Sequence, residues 1–141
     1  MQRLSNDMKK FNCVLLVDDD GATNFINYRL VKQLGVTEEI HTEFNGEKAL
    51  NYIQYYAEKH DNHAPELILL DLKMPVLDGY EFMEYLRLKK FANKDRIHVL
   101  VVSAGGRKED MERLLRFNVR CISKPLTLEC LTEALGSPQC L

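Results

Sequence analysis

The chain has 141 residues, 45% hydrophobic and 28% charged, with a formal net charge of −2, which suits one globular domain with a sizeable core. Its acids and bases are spread along the chain, so no basic face for nucleic acid is expected. No apolar stretch nears the ~20 residues of a membrane span and the N-terminus has no signal-peptide core, so a cytoplasmic protein without membrane contact is expected.

The first apolar run, CVLLV (13–17), stops at three carboxylates, Asp18, Asp19 and Asp20. Ile26, Leu30 and Leu34 then recur at helical spacing, with Gly35 as a left-handed C-terminal cap. EIHTEF (39–44) alternates instead, Ile40, Thr42 and Phe44 against His41 and Glu43, as a half-exposed edge strand does. Ala49, Ile53 and Ala57 mark a second helix behind Asn45 as N-cap, with one ring of Tyr55 and Tyr56 expected to face the core. HDNH (60–63) reads as a solvated loop rather than a set of metal ligands.

LILL (67–70) is the next strand, ending at Asp71 and a turn fixed by Pro75. Asp78 and Glu81 have the spacing of a capping box for a helix carrying Phe82, Met83 and Leu86. HVLVV (98–102) precedes Ser103, and Met111, Leu114 and Leu115 mark a fourth helix within RKEDMERLLRF (107–117), whose charged face is taken as solvated. VRCI (119–122) leads to Ser123, Lys124 and Pro125, after which Leu128, Leu131 and Leu135 mark a fifth helix from Thr127 to Gly136. Residues 1–10 and 137–141 are expected as loose ends, leaving one domain over 11–136. Of the four cysteines, none in C-x-x-C spacing, Cys13 and Cys121 lie in apolar runs and are expected as buried thiols, while Cys130 and Cys140 do not.

Unbroken β-rich runs of four or five suit parallel strands covered on both faces. Strand and helix alternate five times, which predicts an α/β, doubly wound parallel sheet. Ligands of such sheets bind beyond the C-terminal ends of the strands. There the sequence delivers Asp18 and Asp19, then Asp71, Ser103 and Lys124. Three carboxylates on one rim repel one another unless a cation shares the space, and hard oxygen ligands favour a magnesium-type ion. A metal beside a carboxylate, a hydroxyl and an ammonium also suits a phosphoryl group, which a carboxylate takes as an acyl phosphate.

VDDD (17–20), LLDLKMPVLDG (69–79), VVSA (101–104) and SKP (123–125) resemble the receiver domain of two-component response regulators, in the family's order and approximate spacing. The resemblance implies a flavodoxin-like, five-stranded parallel sheet of order 2-1-3-4-5 flanked by five helices. It implies that Asp71 is the phosphoacceptor, and that Asp19, Asp71 and the backbone carbonyl of Lys73 bind Mg²⁺ directly, with Asp18 helping through a metal-bound water. Ser103 is then the switch hydroxyl, and Lys124 pairs with the acceptor and later with the phosphoryl group, with a cis peptide between Lys124 and Pro125. The partners implied are a sensor histidine kinase or a histidine phosphotransfer protein, and a downstream protein met by contact. The expectation is a stand-alone switch rather than a turnover enzyme, as a monomer or weak dimer, with a partner face on the fourth helix, fifth strand and fifth helix.

Two other readings compete. D-x-D-G-[TA] after an apolar strand also resembles haloacid-dehalogenase-like phosphatases, with Asp18 as nucleophile and Asp20 as general acid. That class needs an acidic pair on a further strand, whereas the 17 residues after Lys124 offer only Glu129 and Glu133, in the last helix. The third reading is a receiver that serves only as a docking module and takes no phosphate. One departure from the receiver pattern stands out: the aromatic residue usual three positions before the lysine is Cys121. Activation is therefore expected to read out through Ser103 and the following loop, with no ring flip.

Overall fold

The computed structural model describes residues 10–59, 63–89, 94–104 and 108–136. Five parallel strands form one sheet: β1 (Val14–Val17), β2 (Ile40–Glu43), β3 (Leu67–Leu70), β4 (His98–Ser103) and β5 (Arg120–Ser123), in the order β2-β1-β3-β4-β5. Between and after them run α1 (Gly21–Leu34), α2 (Gly46–Lys59), α3 (Gly79–Leu88), α4 (Lys108–Leu115) and α5 (Leu128–Gly136). This is the expected doubly wound order. Of the segments expected to be loose, 1–9 and 137–141 lie outside the described residues, while the Lys10 ammonium donates to the Gly35 carbonyl at 2.6 Å.

Strand side chains alternate between the two faces of the sheet, and both faces are covered. Leu15, Val17, Ile68, Leu70, Val99 and Val101 pack under α2, α3 and α4, with Ile53, Phe82 and Leu114 among their partners. Val14, Leu16, Leu67, Leu69, Leu100 and Val102 pack under α1 and α5, against Val31, Leu34 and Leu131. Burial on two sides is why these strands read as unbroken apolar runs. β2, at the edge, is half-buried throughout, as its alternation predicted.

Helix ends follow local chemistry. Asp20 caps α1, accepting from the Ala22 N–H at 3.1 Å and the Thr23 hydroxyl at 2.9 Å. Gly35 closes α1 at φ 74°, a conformation that only glycine adopts without strain. The Asp78–Glu81 capping box opens α3 as predicted, and Thr127 Oγ1 accepts from the Cys130 N–H at 3.1 Å.

Several core expectations need correction. Ile26 is 52% exposed; the inward line of α1 is Asn24, Asn27, Val31 and Leu34. On α4 only Leu114 is buried, and Met111 and Leu115 face outward. Neither Tyr55 nor Tyr56 faces the core: Tyr55 is exposed and Tyr56 is half-buried between Tyr52 and His63. Cys13 is fully buried, but Cys121 is only half-buried; Cys130 is exposed and Cys140 lies outside the described residues. Within HDNH, residues 60–62 lie outside them too, and His63 Nδ1 is 3.0 Å from Glu39 Oε2.

Candidate functional site

The register of β1 and β3, Val17 opposite Leu70, brings the next residues of both strands side by side. The Asp71 N–H donates to the Val17 carbonyl at 3.0 Å, so the acceptor candidate leaves the sheet still tied to β1. Asp18, Asp19 and Asp71 each offer an oxygen, and these atoms all lie within 4.8 Å of one another. Asp18 and Asp71 are buried, whereas Asp19 is exposed.

β4 and β5 supply the other two side chains. Ser103 ends β4 opposite Ser123, is buried, and accepts the Lys124 N–H on its carbonyl at 2.9 Å. Lys124 Nζ lies 2.8 Å from Asp18 Oδ2 and 3.3 Å from Asp71 Oδ1. The Lys124–Pro125 peptide is cis.

Asp18 is held at every polar atom. Its N–H donates to the Glu43 carbonyl at 3.3 Å, and its own carbonyl accepts from Asn24 Nδ2 at 2.9 Å. Its carboxylate accepts from the Asp20 N–H at 2.9 Å and from Lys124. Asp20 itself is engaged in capping α1 and stands outside the acidic cluster.

Burial, and then the charge of Asp18, raise the Asp71 carboxyl above its ordinary range against the opposing pull of Lys124 and of the Lys73 N–H. Burial alone would lower the Lys124 ammonium, but the Asp18 hydrogen bond and the charges of Asp71 and Asp18 outweigh it and hold Lys124 above its usual value. At Asp71 the pull of Lys124 thus does not offset burial and the charge of Asp18. That residual repulsion, among hard oxygen donors, fits a divalent cation of the magnesium type.

The loop after Asp71 folds back on itself. Gly79 N–H donates to the Leu72 carbonyl at 2.9 Å, and a Cβ at Gly79 would stand 2.6 Å from the Asp71 carbonyl oxygen. Lys73 is exposed on this loop. Val76 sits at φ 70° inside a γ-turn closed by the Leu77 N–H on the Pro75 carbonyl at 2.8 Å.

Sequence reasoning missed two features. Asn24 is a polar residue on the buried face of α1, signalled only by Asn24 and Asn27 preceding Val31 and Leu34 at helical spacing. Beside Cys121, the Tyr80 hydroxyl donates to Asp110 Oδ1 at 2.8 Å and the Arg113 guanidinium carbon lies 3.6 Å from the centre of its ring. Burial, and then Asp110, push the Cys121 thiol up.

The chain belongs to the response regulator receiver domain family, which matches residues 14–136. It is 30% identical over 123 residues to the probable methanogenesis regulatory protein FilR2 of Methanothrix harundinacea, covering 86% of this chain and 77% of that protein. It is also 30% identical over 123 residues to the probable C4-dicarboxylate response regulator DctR of Bacillus subtilis, covering 86% of this chain but only 50% of that protein, so it spans about half of DctR. Among solved structures, a two-component response regulator from Cytophaga hutchinsonii superposes with a TM-score of 0.77 at 27% identity, covering 89% of this chain and 95% of that one. The chemotaxis protein CheY4 of Vibrio cholerae shares the fold, with a TM-score of 0.70 at 23% identity over 89% of this chain and 96% of that one. The chain is thus a receiver domain of two-component systems, a domain that acts as a signalling switch rather than a turnover enzyme, with the acidic pocket such a domain uses. Receiver domains work with histidine kinases. No described helix is long and apolar enough to cross a membrane.

Proposed function

We propose that Asp71 is the phosphoacceptor of a two-component phosphorelay and works with Mg²⁺. A carboxylate oxygen of Asp71 attacks the phosphorus of a phosphohistidine on a sensor kinase or phosphotransfer protein. The P–N bond breaks, its electron pair returns to the imidazole, which takes up a proton, and Asp71 becomes an acyl phosphate. Asp19, Asp71 and the Lys73 carbonyl would hold the ion directly and Asp18 through water. When bound, Mg²⁺ supplies charge neutralisation for the transferring phosphoryl oxygens.

The chain's own side chains do the rest. Lys124 lies 2.8 Å from Asp18 and 3.3 Å from Asp71, so it can follow the negative charge from the carboxylate to the phosphoryl group. The buried Ser103 hydroxyl, at the end of the neighbouring strand, takes a phosphoryl oxygen. Drawing Ser103 and Lys124 inward shifts the face of α4, β5 and α5; of the loop after β4, expected to share in the readout, residues 105–107 lie outside the described residues. Exposed Met111 and Leu115 on α4 give that face the apolar surface a downstream protein would bury. The domain over 11–136 begins at Phe11, which is buried and donates its N–H to the Val36 carbonyl at 2.8 Å.

The observation that carries the reading is the meeting of three carboxylates within 4.8 Å with one lysine bridging two of them. The phosphatase alternative would need Asp20 free as an acid, yet both its carboxylate oxygens cap α1. Incubation with acetyl phosphate and Mg²⁺, then borohydride reduction and peptide mapping, tests it. Label on Asp71 is expected. Label on Asp18 would favour the phosphatase chemistry, and no label would favour a docking module.

A further inference from the structure

Asn24 is 2% exposed, and its side-chain Oδ1 is buried with no hydrogen-bond partner among the described residues. An unmatched buried acceptor destabilises a fold, and an apolar residue of similar size avoids that cost. Further along the same buried line of α1, Asn27 is polar as well, while Val31 and Leu34 are apolar. The polar residue at 24 therefore calls for a reason in its other end.

That other end is the amide nitrogen. Asn24 Nδ2 donates to the Asp18 carbonyl at 2.9 Å and lies 3.4 Å from the Glu43 carbonyl. The β1–β2 ladder has its last paired residues at Val17 and Glu43, just short of this point. One carboxamide thus ties the Asp18 carbonyl, just past β1, to the Glu43 carbonyl at the end of β2, which also accepts the Asp18 N–H at 3.3 Å. Fixing the Asp18 carbonyl fixes the peptide plane that joins Asp18 to Asp19. Asp18 has further tethers through its carboxylate, but the side chain of Asp19 is exposed, so its position is set by its backbone.

We propose that Asn24 is a positioning residue: it clamps the Asp18–Asp19 peptide so that the exposed Asp19 carboxylate stands ready for a divalent cation. This rests on the reading of Asp19 as a metal ligand given above. Asn24 gives up burial quality for site geometry, which explains why its oxygen is left without a partner.

Asn24→Leu removes the donor and the orphan acceptor together, and Asn24→Ala removes both without adding bulk. Mg²⁺ affinity of each, measured by ¹⁵N chemical-shift titration, is expected to fall about tenfold, the scale on which groups that orient metal ligands act. Thermal stability without Mg²⁺ is expected to change little in Asn24→Leu, because shedding the orphan acceptor offsets the donor lost to the Asp18 carbonyl, and amide exchange at Asp18 and Asp20 to quicken while the strand interiors stay protected. Binding within twofold of wild type in both variants would overturn the proposal. So would weakened binding accompanied by faster exchange throughout the sheet, because Asn24 would then be serving the fold. A wild-type protein that bound no Mg²⁺ would refute the metal reading itself and this role with it.

Discussion

Gly79 is the position at which adding a single methyl group should cost most. Its Cβ would lie 2.6 Å from the Asp71 carbonyl oxygen and 2.7 Å from Leu72 Cα, both backbone atoms that no rotamer change can move aside. Ordinary contact begins near 3.4 Å, so the start of α3 must retreat by about 0.8 Å, the difference between 2.6 and 3.4 Å. The hydrogen bond from Gly79 N–H to the Leu72 carbonyl, now 2.9 Å, would stretch out of range. Overpacking of this kind costs about 1–3 kcal/mol, and the lost hydrogen bond about 1 kcal/mol. Against that stands the gain of up to ~1 kcal/mol for replacing glycine by alanine in a helix. Gly79→Ala should therefore lose about 2 kcal/mol in urea unfolding, with an unchanged m value. A variant as stable as wild type would refute the claim that the loop from Asp71 to α3 has no slack.

Val76 is 85% exposed at φ 70°, so Val76→Gly gives up little packing and releases backbone strain of roughly 1–3 kcal/mol, less up to ~1 kcal/mol of added chain entropy; urea unfolding should show a net gain, and a loss would contradict it. The raised Asp71 carboxyl means the folded state binds its proton more tightly than the unfolded state does. Its ionisation therefore costs stability, a cost that appears as pH rises above the ordinary 3.8 and is complete above the folded value. Without Mg²⁺, Asp71→Asn should match wild type at pH 3 and exceed it at pH 7; equal offsets at both would refute the electrostatic account. If the exposed Lys73, two residues after Asp71, screens the proposed acyl phosphate from water, Lys73→Ala should shorten the lifetime of phospho-Asp71, and an unchanged decay would dismiss that role. Tyr80→Phe keeps the ring under Arg113 but loses the bond to Asp110, about 1 kcal/mol, and amide exchange in α4 should quicken while α1 stays unchanged.

The strand ends were legible because burial on both faces forces unbroken apolar runs, and a run that stops at Asp71 or at Asp18 shows where the sheet opens to solvent chemistry. Caps at Asp78 and Gly35 were legible for a similar reason: each serves its own helix within a few residues. The orientation of α1 was not. Near the site Asn24 meets the Asp18 carbonyl and lies inward while Ile26 faces outward, the reverse of the hydrophobic pattern. Met111 and Leu115 misled for another reason. An exposed leucine at helical spacing looks the same in sequence as a buried one, and only the packing of Leu114 against the sheet sets the rotation of α4. The bond from Tyr80 to Asp110 joins residues 30 apart, beyond any local pattern.

That last contact joins α3 to α4 beside Cys121. Cys121 is half-buried against the cluster that holds Tyr80, so the aromatic ring in this neighbourhood comes from α3 rather than from β5. Tyr80 is adjacent to Gly79, whose Cα has only the room of a hydrogen beside the Asp71 carbonyl. A shift of the Asp71 backbone thus meets α3 at its first residue, and the next residue holds α4 by a hydrogen bond to Asp110 and by its ring beneath Arg113. The ring is already buried and bonded at its hydroxyl, so swinging it outward would break both contacts.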